Sequence, residues 1–149
     1  CLLLGFMLGR KSKYEKRDYL KQFKIGKATY SESLIYEAYG GLQNDGIMLA
    51  VYYDVDAAKI IHQLDSWEKI NDSPTISSIL KNVSSYFGLD FVIPEIASGN
   101  FFLYDNSQHK ELRSEAEMNT LLLHSEDVNF SLVVWDDEKH TIYIVEYRI

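Results

Sequence analysis

The sequence predicts an α+β domain: a mostly antiparallel sheet of about five strands with two helices packed on one face. An N-terminal membrane-anchor stub and a short basic helix precede it. Three stretches carry that expectation. IMLAVYYD (47–54) is apolar on both sides of an extended chain, as in a strand covered twice. SPTISSILKNVSSYFG (73–88) has helical spacing and both caps. VNFSLVVWDDEKHTIYIVEYRI (128–149) reads as two strands, Val128–Trp135 and Thr141–Ile149, around the polar turn Asp136–Lys139.

Taken in order, the chain begins CLLLGFMLG and switches at once to RKSKYEKR. Nine residues are too few to cross a bilayer, which takes about 20 in helix. A greasy run ending in dense positive charge is nevertheless how a transmembrane helix leaves the membrane. Cys1–Gly9 is therefore read as the end of a membrane anchor. Two other readings stand beside it: Cys1 as the lipidated first residue of a lipoprotein, or residues 1–9 as a buried N-terminal element. Residues 10–27 form a basic juxtamembrane segment, and 28–149 a single α+β domain.

YEKRDYLKQF, Tyr14–Phe23, places Tyr19, Leu20 and Phe23 at helical spacing. Ala28–Tyr39 alternates as a strand, with Ala28, Tyr30, Leu34, Tyr36 and Ala38 on one side and only Glu32 out of pattern. The loop GGLQNDG (40–46) leads into the 47–54 strand. Asp54 or Asp56 caps a helix whose stripe is Ala57, Ile60, Ile61, Leu64 and Trp67. In the second helix Ser73 is the N-cap, Pro74 takes the first turn, and Ile76, Ile79, Leu80, Val83 and Phe87 line one face. Gly88 supplies the left-handed stop. Phe91–Ile96 is an extended connector, Asn100–Tyr104 a short strand, and Glu115–Leu123 a short helix in an acidic stretch. The order is β-β-α-α-β-β-β.

Composition narrows the function. The net charge is −7, yet residues 10–27 carry eight basic and two acidic side chains, summing to +6, so the remaining 122 residues from 28 onward carry −13. An acidic body repels nucleic-acid phosphates, so no nucleic-acid partner is expected. A basic arm suits anionic headgroups, at about 1 kcal/mol per basic residue. Cys1 is the only cysteine, which excludes an intrachain disulfide.

No catalytic, cofactor-binding or metal-binding residues are assigned, and no cofactor is expected. His62, His109, His124 and His140 never fall at ligand spacing. Asp54-Val55-Asp56 and Asp136-Asp137-Glu138 read as a helix cap and a hairpin turn rather than calcium loops. There is no Gly-x-Ser-x-Gly elbow, and GGLQNDG lacks the lysine and following helix of a phosphate cradle. That loop is the most pointed feature. Tyr39, Gly40, Gly41, Asn44, Asp45 and Gly46 are the candidate partner-contact residues: glycines expose backbone, and tyrosine is enriched at interfaces. A plain hairpin turn explains the same residues.

The order of motifs resembles a family of small, single-span membrane-anchored proteins from Gram-positive bacteria. Its members carry a membrane helix, a stretch like D-x-H-G-G-F-H-G-D-G, an apolar strand, a helix with a tryptophan near its end, an I-P-x-I-x-x-G-x-x-F segment and a terminal hairpin. Here these read EAYGGLQNDG (37–46), Trp67 and IPEIASGNFF (93–102), spanning 36–149 in order. Tyr39 and Gln43 stand where the family has histidines. The resemblance implies an anchor and this fold, and no activity.

The expected function is a membrane-anchored, non-catalytic domain binding a protein partner at the bacterial cell envelope. The alternatives are an immunity-type protein that neutralises a cationic peptide or toxin, and an enzyme acting on an envelope precursor. The expected location is the cell membrane, single-pass. The basic flank favours the cytoplasmic side, and a more basic flank upstream of the anchor would reverse that orientation.

Overall fold

The computed structural model describes residues 19–40, 45–70, 73–88, 93–124 and 128–148. The nine-residue stub and the basic run to Asp18 lie outside them. Helix α1 is Tyr19–Gln22, β1 Glu32–Gly40 and β2 Asp45–Tyr53. A 3₁₀ turn, Ala57–Lys59, leads into α2, Ile61–Ser66, and β3, Glu68–Lys69. Then come α3, Pro74–Phe87, β4, Gly99–Asp105, and β5, Lys110–Leu112. Helix α4, Glu115–His124, precedes the hairpin of β6, Asn129–Asp136, and β7, Thr141–Arg148.

The fold is α+β, with an antiparallel sheet of seven strands rather than about five. Its order is β1-β2-β7-β6-β4-β3, with β5 also paired to β4. The two extra strands are Glu68–Lys69 and Lys110–Leu112, too short for alternation to register in the sequence.

Both faces of the sheet are covered, and this corrects the expectation of two helices on one face. On one face, Ile47, Leu49, Val51, Leu132, Val134 and Val145 pack with Ile76, Ile79, Leu80 and Val83 of α3 and Met118 and Leu121 of α4. On the other, Met48, Ala50, Val133, Trp135, Ile142 and Ile144 pack with Ile60, Leu64 and Trp67 around α2 and with Tyr19, Leu20, Phe23 and Ile25. The reason is in the strands. Met48 through Val51, Leu132 through Val134, and Ile142, Ile144 and Val145 are 0% exposed, so each face needs its own cover. Packing thus reaches back to Tyr19, inside the stretch read as a basic juxtamembrane segment.

Local signals explain the elements. Ser73 Oγ accepts from the Ile76 amide at 3.3 Å, Pro74 opens α3, and Gly88 ends it at φ 58°. Glu115 ties α4 to that N-terminus: its carboxylate accepts from Ser73 and lies 2.5 Å from Thr75 Oγ1. Asp56 caps the 3₁₀ turn, accepting from the Ala58 amide at 3.1 Å. That turn shifts the phase of α2, leaving Ile61 46% exposed rather than on the buried stripe. The first strand begins at Glu32, four residues later than its alternation suggested, because Ala28 is turned back onto the Ile25 carbonyl. Gly99 fits only as glycine, since a Cβ there would stand 1.8 Å from the Trp135 carbonyl oxygen.

The β4–β5 and β6–β7 turns share one device. Asp105 accepts from the amides of Ser107 and Gln108, and Asp136 from those of Glu138 and Lys139. Each turn ends on a histidine in the left-handed region, His109 at φ 53° and His140 at φ 50°. Asp136 of the acidic triplet is therefore a buried turn cap.

Candidate functional site

The register of β7 builds the site. Ile142, Ile144, Glu146 and Arg148 alternate onto the α2 face, while Tyr143, Val145 and Tyr147 point to the α3 face. The α2 face is thus apolar over most of its length and polar at one end. Across the strands at that end, Glu146 stands opposite Met48 and Ser131, and Arg148 opposite Gly46 and Asn129. One step further out, Glu37 pairs with Met48 and Tyr104 with Ser131.

Helix α1 lies over the margin of this row. The Tyr19 hydroxyl donates to Glu37 Oε1 at 2.6 Å, and Gln22 Nε2 donates to Glu146 Oε1 at 2.9 Å. Beyond them is an open polar cleft of about 150 Å³, bounded by Gln22, Gly46, Asn106, Asn129, Ser131 and Arg148, with Glu146 and Tyr147. By contrast, the space between α3 and the 93–96 connector is apolar-walled and only about 10 Å³, room for one water at most.

Inside the cleft, Asn106 is the organiser. Its Nδ2 donates to Asn129 Oδ1 at 3.0 Å and to Ser131 Oγ at 3.1 Å. Asn106 is itself held by its backbone amide, which donates to the Asn129 carbonyl at 2.8 Å. Ser131 is 5% exposed and accepts from Asn106, so its own hydroxyl hydrogen has no acceptor among the described residues. The Asn129 Nδ2 group and the Arg148 guanidinium likewise have no partner among those residues. Three donors thus face one small space, beside the negative charge of Glu146.

Among the sequence-predicted contact residues, Gly46 bounds the cleft. Tyr39 occupies the register position opposite Gly46, and Gly40 pairs with Asp45 to close the hairpin. Gly41 and Asn44 lie outside the described residues. Of the tyrosines flanking the loop, Tyr52 is buried on the α2 face, whereas Tyr36 packs against Phe87 of α3 with ring centroids 5.7 Å apart. Sequence reading missed Gln22, Asn106, Asn129, Ser131, Glu146 and Arg148. One signal was available: TIYIVEYRI loses its apolar residues on one face only, at Glu146 and Arg148.

The arrangement gathers hydrogen-bond donors of Asn129, Ser131 and Arg148 beside the Glu146 carboxylate. Among the described residues no group of three or more histidine, cysteine, aspartate or glutamate side chains could hold a metal ion. Neither cleft is bounded by a histidine. Among the described residues no helix is long and apolar enough to cross a membrane.

No protein-family model, curated protein or solved structure matches the chain.

Proposed function

We propose that the chain is a membrane-anchored, non-catalytic domain that binds a protein partner at the bacterial cell envelope, through the β1–β2 loop and the polar cleft beside it. The observation that carries this reading is the convergence of uncommitted donors from Asn129, Ser131 and Arg148 next to Gly46, at the root of the glycine-rich loop. Ser131 is the buried member of this set, and its hydroxyl hydrogen, without an acceptor among the described residues, is the group that a ligand acceptor would complete. The anchor rests on Cys1–Gly9 and the cationic run after it. In this reading the basic flank holds the domain on the cytoplasmic side of a single-pass anchor.

Two measurements test the two halves. The full chain should float with vesicles of phosphatidylglycerol and phosphatidylcholine, and a chain lacking residues 1–9 should not; equal flotation would refute the anchor. A photo-crosslinker at position 129 in living cells should give a discrete protein adduct, while one at Tyr86, exposed on α3, gives none. Adducts that are the same from both positions, or absent from both, would refute the contact surface.

A further inference from the structure

We infer that the cleft recognises the chain-terminal lysine or arginine of its partner, taking the free carboxylate on Arg148, Asn129 and Ser131 and the side-chain cation against Glu146. This rests on the proposed partner-binding function and names the chemistry of the partner.

The donor side is built for a carboxylate. Arg148 offers a planar fork with no acceptor of its own, the geometry that suits a two-oxygen anion. Asn129 is next to it across the β6–β7 ladder. Its carbonyl end is already taken by Asn106, which turns the amide's Nδ2 to the donor role. Ser131 is in the same position: Asn106 occupies its oxygen, leaving only the hydrogen to give. Asn106 thereby sets the polarity of the whole wall. A ligand rich in hydrogens would find few acceptors on this wall, whereas a carboxylate finds three donors.

Glu146, whose Oε1 already accepts from Gln22 Nε2, supplies the negative charge that selects the rest of the ligand. Glu146 precedes Arg148 by two residues on the same face of β7, a spacing of about 7 Å along a strand. That exceeds the distance across one α-carbon, so a free α-amino group beside the carboxylate would fall short of Glu146. It matches the distance between the terminal carboxylate and the side-chain cation of an extended lysine or arginine. The −13 charge of residues 28–149 adds steering of a cationic chain end toward the domain. A cleft of about 150 Å³ accommodates one such residue, with the preceding chain leaving past Gly46.

The test is calorimetric titration of the full chain, in detergent micelles, with three peptides: acetyl-Ala-Ala-Lys with a free carboxylate, the same peptide amidated, and acetyl-Ala-Ala-norleucine with a free carboxylate. The free acid should bind, the amide should bind about tenfold more weakly or worse, and norleucine should be weakened similarly. Arg148→Gln should abolish the preference for acid over amide. Asn106→Asp, which places an acceptor where the Asn129 and Ser131 contacts originate, should weaken the free acid by about tenfold, with thermal unfolding confirming that both variants fold. Equal affinity for acid and amide, or an Arg148→Gln chain that still prefers the acid, overturns the inference. Free L-lysine separates the two levels: if it and the tripeptide both bind in an Arg148-dependent way while no crosslinked protein is found in cells, the cleft chemistry stands and the protein-partner reading falls.

Discussion

At one end of the sheet the two faces of the same three strands have opposite chemistry. On the α3 face, Ile47, Tyr147 and Phe130 lie side by side, and the Phe130 and Tyr147 rings stack at 5.3 Å and 11°. On the α2 face the next residues along are Met48, Glu146 and Ser131, with Gly46, Arg148 and Asn129 at the margin. Helices α3 and α4 close the first face, whereas α1 is four residues long, buries Tyr19 and Leu20 on the second, and meets its polar end through the Tyr19 hydroxyl and Gln22. The contrast teaches where function sits in this fold. A sheet that buries both faces needs two covers, and the end where one cover stops is left as a polar cleft.

Substitutions can break that contrast, beginning where the packed half is least forgiving. Gly99→Ala drives a methyl into the Trp135 carbonyl and should cost about 3 kcal/mol or prevent folding, because backbone on both sides must move. A variant with an unchanged urea midpoint would show that the β4–β6 approach is looser than described. Leu132→Ala on the α3 face, at 0% exposure, should cost about 2–5 kcal/mol. Its neighbour Ser131→Ala, facing the cleft, should cost about 1 kcal/mol, one hydrogen bond from Asn106. Equal costs for these adjacent residues would erase the distinction between the faces. Glu115→Gln should fall between them, at about 1–2 kcal/mol, since it weakens the tie to Ser73 and Thr75 at the start of α3.

The smallest effect is seen only in alkali. Burial first, then the neighbouring Asp136 and Tyr53, push the Tyr143 phenol well above its ordinary value of 10. The unfolded phenol ionises near 10 while the folded one stays protonated. Stability is therefore undiminished below pH 10 and falls as the pH rises past it. Tyr143→Phe should flatten the decline in urea midpoint between pH 10 and 11; an identical slope would mean that Tyr143 is not desolvated.

Much of the packed half was legible in the sequence. Ser73, Pro74 and Gly88 bound α3 as read, the terminal hairpin falls where alternation placed it, and the doubly apolar 47–53 run is a central strand. The layering was misjudged because periodicity shows which side of a helix is buried, not which face of a sheet it meets. Ile60, Leu64 and Trp67 carry no label for the α2 face. The cleft was harder still. Asn106, Ser131 and Arg148 lie far apart along the chain and become neighbours only through the β4-β6-β7 register, while the pointed glycine loop supplied a single bounding residue, Gly46.

The central claim is most directly tested by amide NMR of the ¹⁵N-labelled full chain, titrated with acetyl-Ala-Ala-Lys carrying a free carboxylate. The account predicts shifts confined to Gly46, Asn106, Asn129, Ser131 and Glu146–Arg148, and their loss when the peptide is amidated. Silence at these positions while α3 or the 93–96 connector responds would contradict it.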